Sequence, residues 1–231
     1  YGAQYVSVPS DAHGMIVDKL EEALRVGPKF IYTLPNFQNP SGSTLSLERR
    51  KKLVELADKY GVPIVEDDPY GQLRFEGEHL SSVAQLDSLM RGSNGGTYTG
   101  NVIYLSTFSK LLAPGIRLAW VIAPPEVTRK LVMAKQAADL HTSTFNQIVA
   151  YEVAKGGFID EHVKVIRATY KERRNVMLDT MEEVFPSEAR WTHPEGGMFL
   201  WGILPQSMDA AEVLKVAIEK KVAFVPGFAF H

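Results

Sequence analysis

Asn101-Val102-Ile103-Tyr104-Leu105-Ser106-Thr107-Phe108-Ser109-Lys110 carries an apolar, β-branched run straight into hydroxyls and a lysine. Its first five residues have the composition of a buried strand, and Arg117 follows within Pro114-Gly115-Ile116-Arg117. A phosphate group needs short hydroxyl donors such as Thr107 and Ser109, nearby backbone N–H groups and a forked cation that keeps its charge. A lysine beside a bound phosphate has a second use, since its amine can hold the ligand's aldehyde as a Schiff base. A strand end running into an ordinary basic loop accounts for this stretch equally well, so the neighbouring strands decide.

Two upstream runs repeat the pattern. Lys29-Phe30-Ile31-Tyr32-Thr33-Leu34 reads as a buried strand and opens into Pro35-Asn36-Phe37-Gln38-Asn39-Pro40-Ser41-Gly42, dense in turn formers. Val62-Pro63-Ile64-Val65 reads as another and ends in Glu66-Asp67-Asp68-Pro69-Tyr70. Between them Ser46 caps a helix whose Leu47, Leu53, Val54, Ala57 and Tyr60 follow a helical period. Strands alternating with helices predict an α/β fold, a mostly parallel sheet covered by helices on both faces as far as about Leu140.

The flanks read less sharply. Tyr5 to Val8 is expected as a short strand, Asp18 as a helix cap, and Gly71 to Gly100 as irregular chain with an exposed loop from Gly92. Leu118 to Ala123 is a further strand. Helices are expected from Pro125, with Val127, Leu131, Ala134 and Ala138 on an inner face, through Phe145, and from Ile159 to a stop at Pro186. Met198-Phe199-Leu200-Trp201 and Val222 to Val225 read as strands around a helix opened by Asp209, and residues 158–231 look like a smaller α+β lobe. Arg49-Arg50-Lys51-Lys52 reads as the solvated face of its helix, and Trp120 and Trp201 as core.

With 231 residues, a formal net charge of −2 and no cysteine, the chain has neither a basic footprint for nucleic acid nor thiols for disulfides. The absence of cysteine agrees with a reducing, cytoplasmic setting. No apolar run is long enough to cross a bilayer. The six histidines show no ligand spacing, so no metal site is expected. A start at Tyr1 and an end just after an apolar run read as a fragment of a longer protein.

Asn39 follows one buried strand, Asp67 and Tyr70 the next, and Thr107, Ser109 and Lys110 the third. In open α/β sheets ligands sit beyond the carboxyl ends of the strands, so these groups converge on one crevice. Their chemistry is coherent there: Asp67 can keep a pyridinium nitrogen protonated, while the Asn39 amide and Tyr70 hydroxyl can donate to a ring oxygen. Lys110 can carry a proton to and from a substrate, and the ring serves as the electron sink. Glu66 and Asp68 read as structural, Asp68 pointing to the opposite side from Asp67.

The segments Asn39-Pro40-Ser41-Gly42, Asp67-Asp68-Pro69-Tyr70, Thr107-Phe108-Ser109-Lys110 and Pro114-Gly115-Ile116-Arg117 resemble those of fold type I, class I/II aminotransferases dependent on pyridoxal phosphate (PLP). The branch most similar holds the 2-aminoadipate, kynurenine and aromatic aminotransferases. The resemblance implies Lys110 as Schiff-base lysine and proton shuttle, Asp67 as partner of the ring nitrogen, and Asn39 and Tyr70 on the ring oxygen. It implies Thr107, Ser109 and Arg117 as phosphate ligands, a cis Asn39–Pro40 bond, and Gly196-Gly197-Met198-Phe199 as a segment facing the substrate. It also implies amino acid and 2-oxo acid substrates and a cytoplasmic homodimer. Residues 1–157 would be part of the large cofactor-binding domain and residues 158–231 part of the small C-terminal one. The family's remaining phosphate, ring-stacking and carboxylate-clamping groups are expected outside this chain, which alone would transaminate poorly. Two alternatives share the motifs, a PLP-sensing domain of a transcription regulator and a PLP-dependent lyase.

Overall fold

The structure is a computed structural model that describes residues 2–92 and 96–230. Its centre is a four-stranded sheet in the order β3-β4-β5-β6, after a small hairpin of β1 (Ser10–Asp11) and β2 (Gly14–Met15). Strands β3 (Ile31–Thr33), β4 (Ile64–Asp67) and β5 (Val102–Thr107) run parallel, and β6 (Ala119–Ile122) closes the row antiparallel to β5. The expected α/β architecture is therefore present, with β3 and β6 shorter than their apolar runs and β4 and β5 shifted toward their polar ends.

Side chains alternate across a strand, and here the alternation separates two unlike faces. Ile31 and Thr33, Ile64 and Glu66, and Val102 are buried on one side, whereas Tyr32 on the other is 55% exposed. The buried face packs against α1 (Leu20–Leu24), α2 (Leu47–Tyr60) and α3 (Val83–Met90), through Leu20, Leu24, Leu53, Val54, Ala57 and Val83. No comparable layer forms on the other face among the described residues, which departs from a sheet covered on both sides.

Helices α4 (Pro125–Asp139), α5 (Thr144–Ala154) and α6 (Phe158–Val184) follow β6. The supposed inner face of α4 is open, with Leu131 42% exposed, because no described element of this chain packs on it. A second core joins α6 to the strand-end loops, through Val163, Phe37, Tyr70, Leu73 and Leu111. Strands β7 (Arg190–Trp191) and β8 (Gly202–Ile203) form a small antiparallel sheet, and α7 (Ala210–Glu219) starts where Asp209 accepts from the Ala211 N–H at 2.7 Å.

Several sequence expectations fail locally. Tyr5 to Val8 has no partner strand and is not one; Tyr5 is almost fully exposed. Val222 to Val225 is not a strand either, since the Val222 N–H returns to the Ala217 carbonyl as the tail of α7. Met198 to Trp201 lies outside any strand, the nearby ladder being at Gly202–Ile203, and Trp201 is only half-buried. Asp18 lies within a 3₁₀ turn and faces Lys52 instead of capping a helix. The stretch expected to be irregular holds α3, capped by Ser82. Of the loop expected from Gly92, residues 93–95 lie outside the described residues, while Gly100 is buried.

The basic run at the start of α2 is a solvated face only in part, with Lys51 and Lys52 exposed. Arg49 pairs with Asp11 at 2.6 Å, Lys52 faces Asp18, and Arg50 is fully buried. Its guanidinium donates to the carbonyls of Leu45 (2.8 Å), Ser81 (3.0 Å) and Pro35 (3.0 Å) and to the Asn36 side-chain oxygen (2.6 Å). Burial lowers its pKa to about 10, so it stays charged at neutral pH. Truncating Arg50 to Ala strands those acceptors and should cost about 3 kcal/mol or more in urea unfolding. Exposed Lys51→Ala should stay within about 0.5 kcal/mol. Equal losses for the two variants would show that the buried guanidinium holds nothing together.

Candidate active site

Register fixes which acidic residue faces where. Asp67 pairs with Leu105 and Glu66 with Tyr104, so the three consecutive acids at the end of β4 alternate between faces. Glu66 points under the sheet, where its two oxygens accept the Val83 and Ala84 N–H groups at 2.8 Å each. A carboxylate suits the N-terminus of α3 because those N–H groups have no intrahelical partner. Asp68 is also buried, and accepts from the Asn36 amide (2.8 Å), the Gly71 N–H (2.9 Å) and the Tyr104 hydroxyl (3.0 Å). Both are structural, and Asp67 alone of the three lies on the open face.

Around Asp67 the candidate groups gather at the strand ends. Tyr70 follows one tight turn later, its ring buried and edge-on to Phe199 with centroids 5.3 Å apart. Burial, then the nearby Asp67 charge, raise the Tyr70 pKa, which keeps the hydroxyl a donor. The Ser106 hydroxyl donates to the Asp68 carbonyl at 2.7 Å and locks the end of β5 to that turn. One residue on, the Thr107 hydroxyl donates to the Leu118 carbonyl (3.0 Å) and receives the Ser109 N–H (3.0 Å), which curls the chain into the Lys110 turn. Lys110 is half-buried and makes no hydrogen bond or ion pair among the described residues. Arg117 is exposed, in a left-handed conformation at φ 53°, with its guanidinium on the Pro114 carbonyl at 2.9 Å. Asn39 is exposed on the loop after β3, and the Asn39–Pro40 bond is cis.

The glycine pair Gly196-Gly197 packs on the loops that follow β3 and β4. Gly196 bridges to Arg74, and Gly197 donates its N–H to the Leu73 carbonyl at 2.9 Å. Gly197 sits at φ +77° against the Phe37 ring, where a Cβ would collide with that side chain. The Arg74 guanidinium lies 4.9 Å from the Phe37 ring centroid and pairs with Glu195 at 2.5 Å.

Sequence reading missed Tyr32. Its register partner is Val65, so it shares the open face with Asp67 two residues further along β4. Its hydroxyl donates to Asp67 Oδ2 at 2.7 Å. The only sequence signal is a polar-tipped aromatic within an apolar run, and its meaning depends on the register between β3 and β4. No group of three or more acidic or histidine side chains able to hold a metal occurs among the described residues.

The sequence model of the family described as aminotransferase class I and II matches residues 1–231. The chain belongs to this family. Aromatic-amino-acid aminotransferase 1 of Thermococcus litoralis is 46% identical over 236 residues, covering 100% of this chain and 54% of that protein. Kynurenine aminotransferase of Pyrococcus horikoshii, solved in complex with PMP, superposes with a TM-score of 0.90 at 45% identity, over 99% of this chain and 55% of that one. A helix-turn-helix type transcriptional regulator of Bacillus subtilis, YisV, is 31% identical over 88% of this chain and 40% of its own length. This aminotransferase-family chain thus spans about half the length of the curated relatives it matches.

Burial pushes the Glu66 carboxyl up to about 7 from its ordinary 4.5, against the two backbone N–H donors that pull it down. Since the folded value exceeds the unfolded one, the stability this group contributes is full below pH 4.5 and is lost as pH rises through about 7. Glu66→Gln should flatten that part of the pH profile, followed as the urea midpoint from about pH 4.5 to 8. An unchanged slope in the variant would assign the pH dependence elsewhere.

Proposed function

We propose that this chain is the lysine-bearing part of a PLP-dependent aminotransferase that moves an amino group between an amino acid and a 2-oxo acid. The observation that carries the reading is convergence: Asp67, Tyr70, Lys110 and the Asn39 loop occupy the carboxyl ends of three adjacent parallel strands. Solved relatives that hold PMP or a phosphopyridoxyl amino acid support the choice of cofactor.

The donor set fits that cofactor. Asp67 Oδ1 accepts no hydrogen bond among the described residues and is available to a protonated ring nitrogen, while Oδ2 is held by Tyr32. Tyr70 and Asn39 supply neutral donors for the ring oxygen, and Thr107, Ser109 and Arg117 the hydroxyls and the cation for a phosphate. PLP supplies an electrophilic aldehyde and a ring that takes up electron density when the substrate's α-proton leaves. Lys110 Nζ is the amine that attaches the cofactor and the group that moves that proton. Tyr70, wedged on Phe199, keeps its hydroxyl at one height above the strand ends.

The family resemblance further supports a cytoplasmic homodimer. Residues 1–157, which hold the four-stranded sheet, would belong to the larger domain, and residues 158–231, which hold β7 and β8, to the smaller.

The test uses the full-length protein with added PLP. A visible absorption band that borohydride fixes covalently to Lys110, located by peptide mass mapping, is expected in the wild type and absent in Lys110→Ala. Amino transfer should fall about 1,000-fold or more in that variant. Cofactor fixation at Lys110 without any amino transfer would favour a PLP-sensing regulator domain, and loss of the substrate's carboxylate as CO₂ would favour a lyase. No specific labelling of Lys110 would overturn the assignment of the centre.

A further inference from the structure

We propose that Tyr32 is a positioning residue for Asp67, orienting its carboxylate so that Oδ1 faces the cofactor's ring nitrogen. The inference rests on the assignment of Asp67 made above and adds a residue that no strand-end motif contains.

Three observations carry it. The pairing of Tyr32 with Val65 places Tyr32 and Asp67 on one face of the sheet, on a diagonal that an aromatic side chain can span. The hydroxyl lies 2.7 Å from Oδ2, the length of a strong hydrogen bond to a charged acceptor. Finally, the Tyr32 ring is 55% exposed, so it contributes little as core and its hydroxyl is the part that is engaged.

A carboxylate at a strand end turns freely about its last bond, and either oxygen can then meet an incoming N–H. A donor fixed on Oδ2 removes that freedom and leaves Oδ1 as the acceptor. The donor itself is dependable: burial, then the hydrogen bond to Asp67, push the Tyr32 pKa well above its ordinary value. Tyr32 therefore remains a protonated hydroxyl throughout the neutral range. It touches the carboxylate and not the cofactor, hence positioning and not catalysis. The rigidity is useful because a misplaced acceptor weakens every later proton transfer that relies on a protonated ring.

The test is a double-mutant cycle in the full-length protein, read as equilibrium affinity for PLP and as the visible circular-dichroism band of the bound cofactor. Tyr32→Phe keeps the ring and removes one oxygen, so folding should be unaffected, with the urea midpoint as control. Expected is a fivefold to tenfold loss, roughly, of PLP affinity and a weakened dichroism band with Asp67 intact. With Asp67→Ala already in place, the same change should alter affinity by less than about twofold. An equal loss in both backgrounds would make Tyr32 a structural residue independent of Asp67, and no loss in either would leave it without a role. If Asp67→Ala alone leaves affinity and spectrum unchanged, the assignment of Asp67 fails first and the proposal falls with it.

Discussion

Arg50 is a buried cation with no carboxylate in direct contact among the described residues, and the arrangement of the strand ends depends on it. Four of its hydrogen bonds reach residues on three separate segments: Pro35 and Asn36 after β3, Leu45 before α2, and Ser81 before α3. Asn36 passes the interaction on, donating its amide to Asp68. A guanidinium taken out of water is tolerated only when its donors are matched, because an unmatched buried charge costs several kcal/mol. The match here admits one spatial order of the loops. The loop that carries Asn39 and the turn that carries Asp67 and Tyr70 are tied to the same buried network, although Asn39 and Glu66 lie 27 positions apart.

Three acids in a row at the end of β4 would repel one another if they shared an environment. Pleating separates them. Glu66 is held by the first N–H groups of α3, Asp68 by an amide, an N–H and a hydroxyl, and the Arg50 charge is near enough to act on both. Asp67, between them in sequence, lies across the sheet with one oxygen engaged and one available. A single-residue slip in the pairing of β4 with β5 would put Asp67 under the helices and two charges on the open face. The buried network thus specifies the register, and the register specifies which carboxylate meets a ligand.

Much of this was legible because strand ends announce themselves. A β-branched run followed by polar residues located β3, β4 and β5, and the order of the polar residues located the crevice. Arg50 was obscured by its neighbours: Arg49, Lys51 and Lys52 made a charge run, and a run reads as surface. Its spacing from Leu53, Val54 and Ala57, three, four and seven residues on, places it on the buried face of α2 and was the available signal. Helix α3 had a signal too, Ser82 followed by Val83 and Leu86, hidden in a stretch rich in glycine and charge. Tyr32 had only its polar-tipped ring within an apolar run, which means nothing alone because its partner is fixed by a register that no local pattern states. The strand expected at Val222 to Val225 failed for the converse reason: apolar, β-branched residues favour a strand only when another strand is there to pair with.

Residues 194–199 meet the loops after β3 and β4 through backbone and glycine, beside the side-chain core that α6 builds with Phe37, Tyr70 and Leu73. A side chain at Gly196 or Gly197 would collide with Phe37, which sits at φ 50° with the Arg74 guanidinium 4.9 Å from its ring centroid. Phe199 then stands against Tyr70, and its carbonyl presses on Gly42 of the loop that carries Asn39. From α6, Arg174 reaches both Glu76 (2.6 Å) and the Pro194 carbonyl (2.7 Å), clamping the two partners of this contact from outside. Close packing of this kind transmits displacement, since no gap exists to absorb it. A shift of residues 194–199 has to move Phe37, Tyr70 or the Asn39 loop, while Asp67 is held on β4. The two donors proposed for the ring oxygen are therefore mechanically coupled to residues 194–199, whereas the carboxylate proposed for the ring nitrogen is coupled to the sheet through β4 and Tyr32.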